Sequence, residues 1–439
     1  MALGLPGVNL QREYRRYYPA GEVTAHVVGF TNIDDRGQEG LELAYDEWLR
    51  GTPGSKRVLR DRLGRVVRNV EQIRKPEPGR DLTLSLDRRI QYLAYRELKR
   101  AVFHHQARSG SLVILDVHTG EVLAMVNQPS FNPNDRRQFL PAQTRNRAVT
   151  DVFEPGSTIK PFTIAAALLS GRYRPNTLID TSPGHYRLGR AVIRDDRDYG
   201  RINLTTVIQK SSNVGASKIA LSLPDELLYR VQDSFGFGAV TGSGFPGEVG
   251  GLINDAGHWR RIEKATVAYG YGISVTALQL VRAYAALADD GRLHPVSFLR
   301  VTSPEPARRV LPARVARQIR RMLEAVVADG GTGTRARIAG YRVAGKTGTV
   351  KKAVAGGYSE DRYVSVFAGF APASHPRLAM VVIVNEPRDG IYYGGLVAAP
   401  VFSRVMAGAL RMLGVAPDAA PAHPLRLAAV GPIRREGAP

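Results

Sequence analysis

The 439-residue sequence contains no cysteine, which excludes disulfides, thiolate metal sites and a cysteine nucleophile. Chemistry is left to hydroxyls, amines, carboxylates and imidazoles. The lack of thiols says little about compartment, because such a chain suits oxidising and reducing surroundings alike. No run of about 18 consecutive apolar residues occurs, and the N-terminus MALGLPGVNLQREYRRYY lacks the basic-then-apolar order of a signal peptide. As it stands the sequence reads as a soluble globular chain. Lysine is scarce, ten of 61 basic residues, so the formal charge of +21 comes mainly from arginines. These are scattered along the chain and do not form a block interleaved with aromatics, so no nucleic-acid partner is expected. The densest stretch, KRVLRDRLGRVVRNVEQIRK (56–75), alternates charged and apolar residues. It reads as the solvated face of a hairpin, though it would also suit an anionic membrane surface or an acidic polymer.

What is present is enough hydrophobic residue, 44%, for a large core. Single cores rarely grow past ~250 to 300 residues, so two domains are expected. Residues 1–80 contain the candidate strands EVTAHVVGF and SKRVLRDRLGRVVRNVEQI between the turn signals DDRG, GTPGS and KPEPGR, and read as a small β-rich module. A second domain, 81–414, begins where DLTLSL alternates as a strand and Asp87 caps the helical pattern RRIQYLAYRELKRAVFHH. SGSLVILDVHTGEVLAMVNQP reads as a hairpin at the heart of a sheet. TALQLVRAYAALADDG is helical, YVSVFAGFAPA and RLAMVVIVNEP are strands, and APVFSRVMAGALRMLG is a helix. The expected class is α+β, a sheet flanked by helices. The Ala- and Pro-rich tail, 415–439, is expected to be disordered.

Three short motifs carry the chemistry. In FEPGSTIKPF, Ser157 and Lys160 follow a Pro-Gly pair at a helix start, three positions apart and so on one face. A serine hydroxyl is a weak nucleophile, and a neighbouring lysine can take its proton only when that lysine is neutral, which burial or a second cation arranges. Ser and Lys at this spacing are common by chance. However, QKSSNVGASKIA follows with Ser211 and Asn213, and VAGKTGTVKK with Lys346, Thr347, Gly348 and Thr349. The ordered set S-x-x-K, S-x-N, K-T-G resembles that of serine penicillin-binding proteins and related β-lactamases. The residue types suit acyl transfer from a peptide ending in a free carboxylate. Ser157 would attack, Lys160 would take the proton and Ser211 would pass it to the leaving amine. Asn213 would hold Lys160 and the substrate backbone. Lys346 would disfavour protonation of Lys160 and, with Thr347 and Thr349, bind the carboxylate. Gly348 would let a substrate backbone approach, and the N–H groups of Ser157 and Thr349 would hold the oxyanion.

The wider resemblance rests on REYRRYYPAGEVTAHVVGFTN, DDRGQEGLELAYDEWLRGTPG, NQPSFNPNDRR, RNRAVTDVFEPGSTIKPF, KSSNVGASKIA, AYGYGISVTALQLVRAYAALADDG and VFAGFAPA. These resemble septal class B penicillin-binding proteins, the penicillin-binding protein 3 group of Gram-negative bacteria, over about residues 8 to 415. The resemblance implies a transpeptidase fold with a five-stranded sheet between helices, residues 1–80 being part of a non-catalytic pedestal. It implies a peptidoglycan D,D-transpeptidase acting on stem peptides at the septum, inhibited by β-lactams, with neither metal nor cofactor. By the same resemblance its partners are a septal glycan polymerase and other divisome membrane proteins, and Tyr358, Tyr392 and Tyr393 fall in substrate-side loops, although glycine-flanked surface tyrosines are common. Family members begin with a cytoplasmic piece, a membrane helix and the first part of the pedestal, so the expectation is a shortened form of a protein anchored in the inner membrane with a periplasmic catalytic domain. One rival is a β-lactamase, which shares the three motifs but needs a positioned base to hydrolyse the acyl-enzyme; no clear glutamate motif follows Ser211, and Glu226 and Glu248 are the residues left open for that role. The other is a β-lactam-sensing receptor domain, against which the pedestal-like N-terminus argues.

Overall fold

The computed structural model describes residues 16–135, 137, 139–354 and 356–419. Its N-terminal part carries a twisted ribbon, β1 (Ser55–Arg60) and β2 (Val66–Arg74), whose residues are almost all exposed. The core sheet is built from β3 (Ser109–Asp116), β4 (Val122–Gln128), β5 (Ala344–Val354), β6 (Gly357–Ala371) and β7 (Leu378–Asn385). All neighbours are antiparallel in the order β5-β6-β7-β3-β4. Side chains alternate across a strand, so in β7 Ala379, Val381 and Ile383 enter one core while Leu378, Met380 and Val382 enter the other. Both faces are buried, which is why the strand sequence is apolar throughout.

One face is covered by α1 (Arg88–His104), which Asp87 caps by accepting from the N–H groups of Arg89 and Ile90, and by the last long helix of the chain. The other packs α2 (Lys160–Leu169), α3 (Leu204–Lys210), α4 (Asn213–Ser222), α5 (Ala277–Ala288) and α6 (Ala313–Val327). A capping box between Thr276 and Gln279 opens α5; removing such a cap costs about 1 kcal/mol. The last helix, α7 (Gly394–Met412), is long and apolar enough to cross a membrane, but it lies on β6, β7 and α1 and is mostly buried. It meets α1 at Gly408, where a Cβ would stand 2.3 Å from Leu93 Cδ2. Core helix is therefore the simpler account of its hydropathy.

Three local expectations are corrected. EVTAHVVGF is a 3-10 turn (Gly21–Val23) and a short helix (Ala25–Val28), with only Phe30 and Thr31 in a strand, paired with Gly37–Glu39. Tertiary packing overrides its β propensity: His26 bonds Gln143 O at 2.7 Å, and Gln91 donates to Val23 O at 2.7 Å. DLTLSL is extended but makes only the bridge Leu84–Leu299, because its N–H groups are shared between two segments: Ser85 donates to Phe298 O and Asp87 to Leu123 O. The β3–β4 hairpin forms as expected but lies to one side, β4 being an edge strand and β7 the centre. A sequence-local hairpin cannot reveal where later strands will join. The tail expected to be disordered lies beyond the described residues from 420 onward.

Candidate active site

The nucleophile turn is made by two glycines. Gly156 (φ 52°) donates its N–H to Gly270 O at 3.0 Å, and Gly270 (φ 93°) lies so close that a Cβ on it would be 2.1 Å from Gly156 O. Gly156–Ile159 then form one 3-10 turn, and Lys160 opens α2 with Pro161 in its first turn. In a 3-10 turn residues three apart eclipse, so Ser157 Oγ and Lys160 Nζ lie 2.9 Å apart. The turn is tied from below, where the buried Tyr284 hydroxyl donates to Thr158 O at 2.8 Å.

Lys160 is fully buried. Its Nζ lies 2.5 Å from Ser211 O, 2.7 Å from Asn213 Oδ1 and 3.1 Å from Ser211 Oγ. Ser211 takes a left-handed conformation (φ 62°) at the end of α3, which turns both its carbonyl and its hydroxyl toward Lys160. Two of these neighbours can only accept. A neutral amine can spend its two N–H groups on them and keep its lone pair for a hydroxyl, so the contacts are compatible with the uncharged form. Burial is also the largest influence on its pKa, lowering it to about 7 against the opposing charges of Asp195 and Asp196. Lys346, likewise fully buried, reaches Ser211 Oγ at 3.0 Å, and burial followed by the Lys160 charge holds it well below the usual lysine range. The two amines flank one hydroxyl, and burial together with the Lys160 charge lowers the pKa of Lys346.

Sequence reasoning missed Asp195. Its carboxylate accepts from Ser212 Oγ at 2.5 Å, Asn213 N at 2.6 Å and Val214 N at 3.0 Å, while Asn213 Nδ2 donates to Arg194 O at 3.1 Å. It therefore fixes the start of α4 and, through it, the amide facing Lys160. Nothing in the stretch RDDRD marks this role, because the contact joins segments the sequence leaves unrelated. Glu154, also missed, accepts from Gly272 N at 2.7 Å and the Tyr358 hydroxyl at 2.9 Å. Among the described residues its other oxygen, also buried, finds no hydrogen-bond partner, and burial raises its pKa.

β5 is the sheet edge beside this turn. A Cβ on Gly348 would stand 3.1 Å from Thr158 Cγ2 and 3.2 Å from Pro155 O. Its close neighbour is thus the nucleophile turn, whereas the sequence reading reserved that space for substrate. Thr347 Oγ1 pairs with Thr332 Oγ1 at 2.7 Å, and Thr349 Oγ1 accepts from Gly394 N at 3.0 Å. Of the tyrosines, Tyr358 stands over Glu154, while Tyr392 is stacked between Tyr363 (3.9 Å) and the exposed Tyr393 (4.7 Å) beside Gly394. The water-activating candidates are not brought to Ser157 by any hydrogen bond. Glu248 has both oxygens occupied by Thr241 and Ser243, and Glu226 lies at the start of the Asp225–Ser234 helix. His104, His105 and Asp389 hold possible metal-ligand atoms within 4.8 Å of one another. His105 Nδ1 is already 2.6 Å from Asp389, and Arg100, Arg335 and Arg404 line the same cavity, so a cation there would meet three guanidiniums.

A half-buried serine hydrogen-bonded to a fully buried lysine between a helix start and a sheet edge, with a second serine and lysine behind it, has the arrangement of a serine acyl-transfer site of the S-x-x-K type. The sequence profile of the penicillin-binding protein transpeptidase domain matches residues 110–407, and that of the penicillin-binding protein dimerisation domain matches residues 1–84. Peptidoglycan D,D-transpeptidase FtsI of Escherichia coli strain K12 is 48% identical over 417 residues, 95% of this chain and 70% of that protein. The probable peptidoglycan D,D-transpeptidase PenA of Neisseria meningitidis is 44% identical over 98% of this chain and 73% of that one. The apo transpeptidase domain of Burkholderia pseudomallei penicillin-binding protein 3 superposes with a TM-score of 0.72 at 44% identity, covering 78% of this chain and all of that one. The chain belongs to the penicillin-binding protein transpeptidase family.

Proposed function

We infer that this protein is a peptidoglycan D,D-transpeptidase that cross-links stem peptides during septal wall synthesis through an acyl-enzyme on Ser157. The observation that carries the chemical assignment is the buried amine of Lys160, 2.9 Å from Ser157 Oγ and surrounded by acceptors. The terminal carboxylate of the donor peptide binds beside Lys346, Thr347 and Thr349. That negative charge favours a protonated Lys346, which in turn disfavours protonation of Lys160. Ser157 Oγ then attacks the carbonyl of the penultimate residue while its proton passes to Lys160 Nζ. The backbone N–H groups of Ser157 and Thr349 receive the oxyanion. As the C–N bond breaks, the proton moves from Lys160 through Ser211 Oγ to the leaving amine. An acceptor amine reverses these steps and releases the cross-linked product.

A β-lactam follows the same path, but its opened ring keeps the leaving amine attached. Tyr358, Tyr392 and Tyr393 border the donor and acceptor sides of the cleft. Residues 81–414 form the catalytic unit and 1–80 part of the pedestal, with 415–439 a tail outside both. By analogy with its relatives the protein works at the periplasmic face of the inner membrane, beside a septal glycan polymerase and other division proteins. Incubation with a labelled penicillin, followed by intact mass and peptide mapping, tests the assignment: one adduct on Ser157 is expected, and none on the Ser157→Ala variant. A β-lactamase reading finds no support in Glu248, whose oxygens are taken up by its own loop.

A further inference from the structure

On the sheet face opposite Ser157, α1 and α7 run side by side and leave a groove between them. Arg89, Arg96 and Arg100 lie seven and then four positions apart on α1, which puts them within about 20° of one line along a row roughly 16 Å long. Arg404 and Arg411, seven apart on α7, form the facing row. Arg335 and Arg337 close the groove from the segment before β5. Two cavities, of about 590 and 250 Å³, are lined by these residues and meet at Arg404. Among the described residues the acids in contact with the seven arginines are Asp87, Glu97 and Asp329, and Asp389 is bonded to His105 in the lining of the smaller cavity, leaving a local excess of three positive charges. Glu97 is already taken by Arg96 and Arg404 together. Among the described residues Arg100, Arg335 and Arg411 make no side-chain hydrogen bond or ion pair. The floor is small and apolar, with Leu93, Ala101, Ala407 and Gly408, and the rim carries the exposed ring of Tyr92 (54%).

We propose that this groove docks an extended, carboxylate-rich segment of a partner protein. Arginine clusters recognise acidic motifs through paired N–H donors, and an exposed tyrosine beside arginines is a residue type that anchors protein interfaces. A concave groove between two helices, with an apolar floor, fits a peptide chain better than a flat lipid surface. The occupant would leave the catalytic cleft open, since the sheet separates the two. At its far end the groove reaches Ile391, on the loop that carries Tyr392 and Tyr393.

The test uses the full chain and a fluorescent peptide of repeated Glu-Glu-Leu, about 12 residues long, which at ~3.3 Å per residue outruns the arginine row. Anisotropy should show binding that weakens with salt and that falls at least tenfold in the combined Arg100→Glu, Arg335→Glu, Arg411→Glu variant, with penicillin acylation unchanged. If that variant does not fold, Arg100→Gln with Arg411→Gln should give a smaller loss in the same direction. Combined reversal of Arg57, Arg65 and Arg68 on the exposed ribbon should leave binding intact. An equal loss there, no loss in the groove variant, no binding to the parent, or groove-dependent binding of phosphatidylglycerol vesicles in place of the peptide would each overturn the proposal.

Discussion

The most demanding consequence of the site is a titration. If Lys160 must be neutral to accept the Ser157 proton and its pKa is about 7, acylation by a β-lactam should fall through an acid limb near neutrality. The sign follows from the reacting form: protonation removes the lone pair, so rate is lost as pH decreases. One pH unit below the pKa about one-tenth of the lysine is neutral, which raises the effective barrier by ~1.4 kcal/mol; two units below, about one-hundredth is neutral. The groups facing Lys160 are Ser157, Ser211 and Asn213 by contact, with Lys346 beyond Ser211 and the carboxylates of Asp195 and Asp196 near the start of α4. Asp195 favours the charged amine, so Asp195→Asn should move the acid limb to lower pH, by about one unit for a nearby opposite charge. The same change weakens the anchoring of Asn213 and should reduce the plateau rate. A stopped-flow or quenched record of acylation by a reporter β-lactam, from about pH 5 to about pH 9, reads both quantities. A rate constant flat across this range, or an Asp195→Asn limb moved to higher pH, would refute the reasoning.

Lys160→Arg keeps a cation that cannot lose its proton, so acylation should be almost abolished with the melting temperature little changed. Gly270→Ala puts a methyl 2.1 Å from Gly156 O at a positive φ; the nucleophile turn must shift, and at least a tenfold loss of acylation is expected together with a lower melting temperature. Tyr284→Phe leaves Thr158 O without its donor and should cost about 1 to 2 kcal/mol in denaturant unfolding. Thr349→Val should slow acylation by carboxylate-bearing β-lactams, and a drug esterified at that carboxylate should lose the same advantage on the parent.

The three motifs of the candidate site were legible because the chemistry proposed for them needs fixed residue types at short local spacing: Ser157 with Lys160, Ser211 with Asn213, Lys346 with its threonines; the structure brings Ser157, Ser211, both lysines and Asn213 together. Long strands such as Leu378–Asn385 were legible because burial on both faces leaves an uninterrupted apolar run. Asp195 was not, since its value lies in contacts with Ser212 and Asn213 across a loop, and an acid pair in sequence carries no such label. Gly348 could be marked as a close approach, but only the fold shows that Thr158 and Pro155 are what approach it. Residues 25–28 failed for the converse reason: β-branched residues suggested a strand, and burial of Ala25, His26 and Val27 selected a helix.

The central claim is that Ser157 forms an acyl-enzyme that awaits an amine, since among the described residues no carboxylate hydrogen-bonds Ser157 to activate water there. The direct measurement is a chase: form the penicilloyl adduct, remove free drug, follow the intact mass with time and map the modified peptide. The account predicts one adduct, on Ser157, lasting minutes or longer. Turnover within seconds, or label on Ser211 or Ser212, would contradict it.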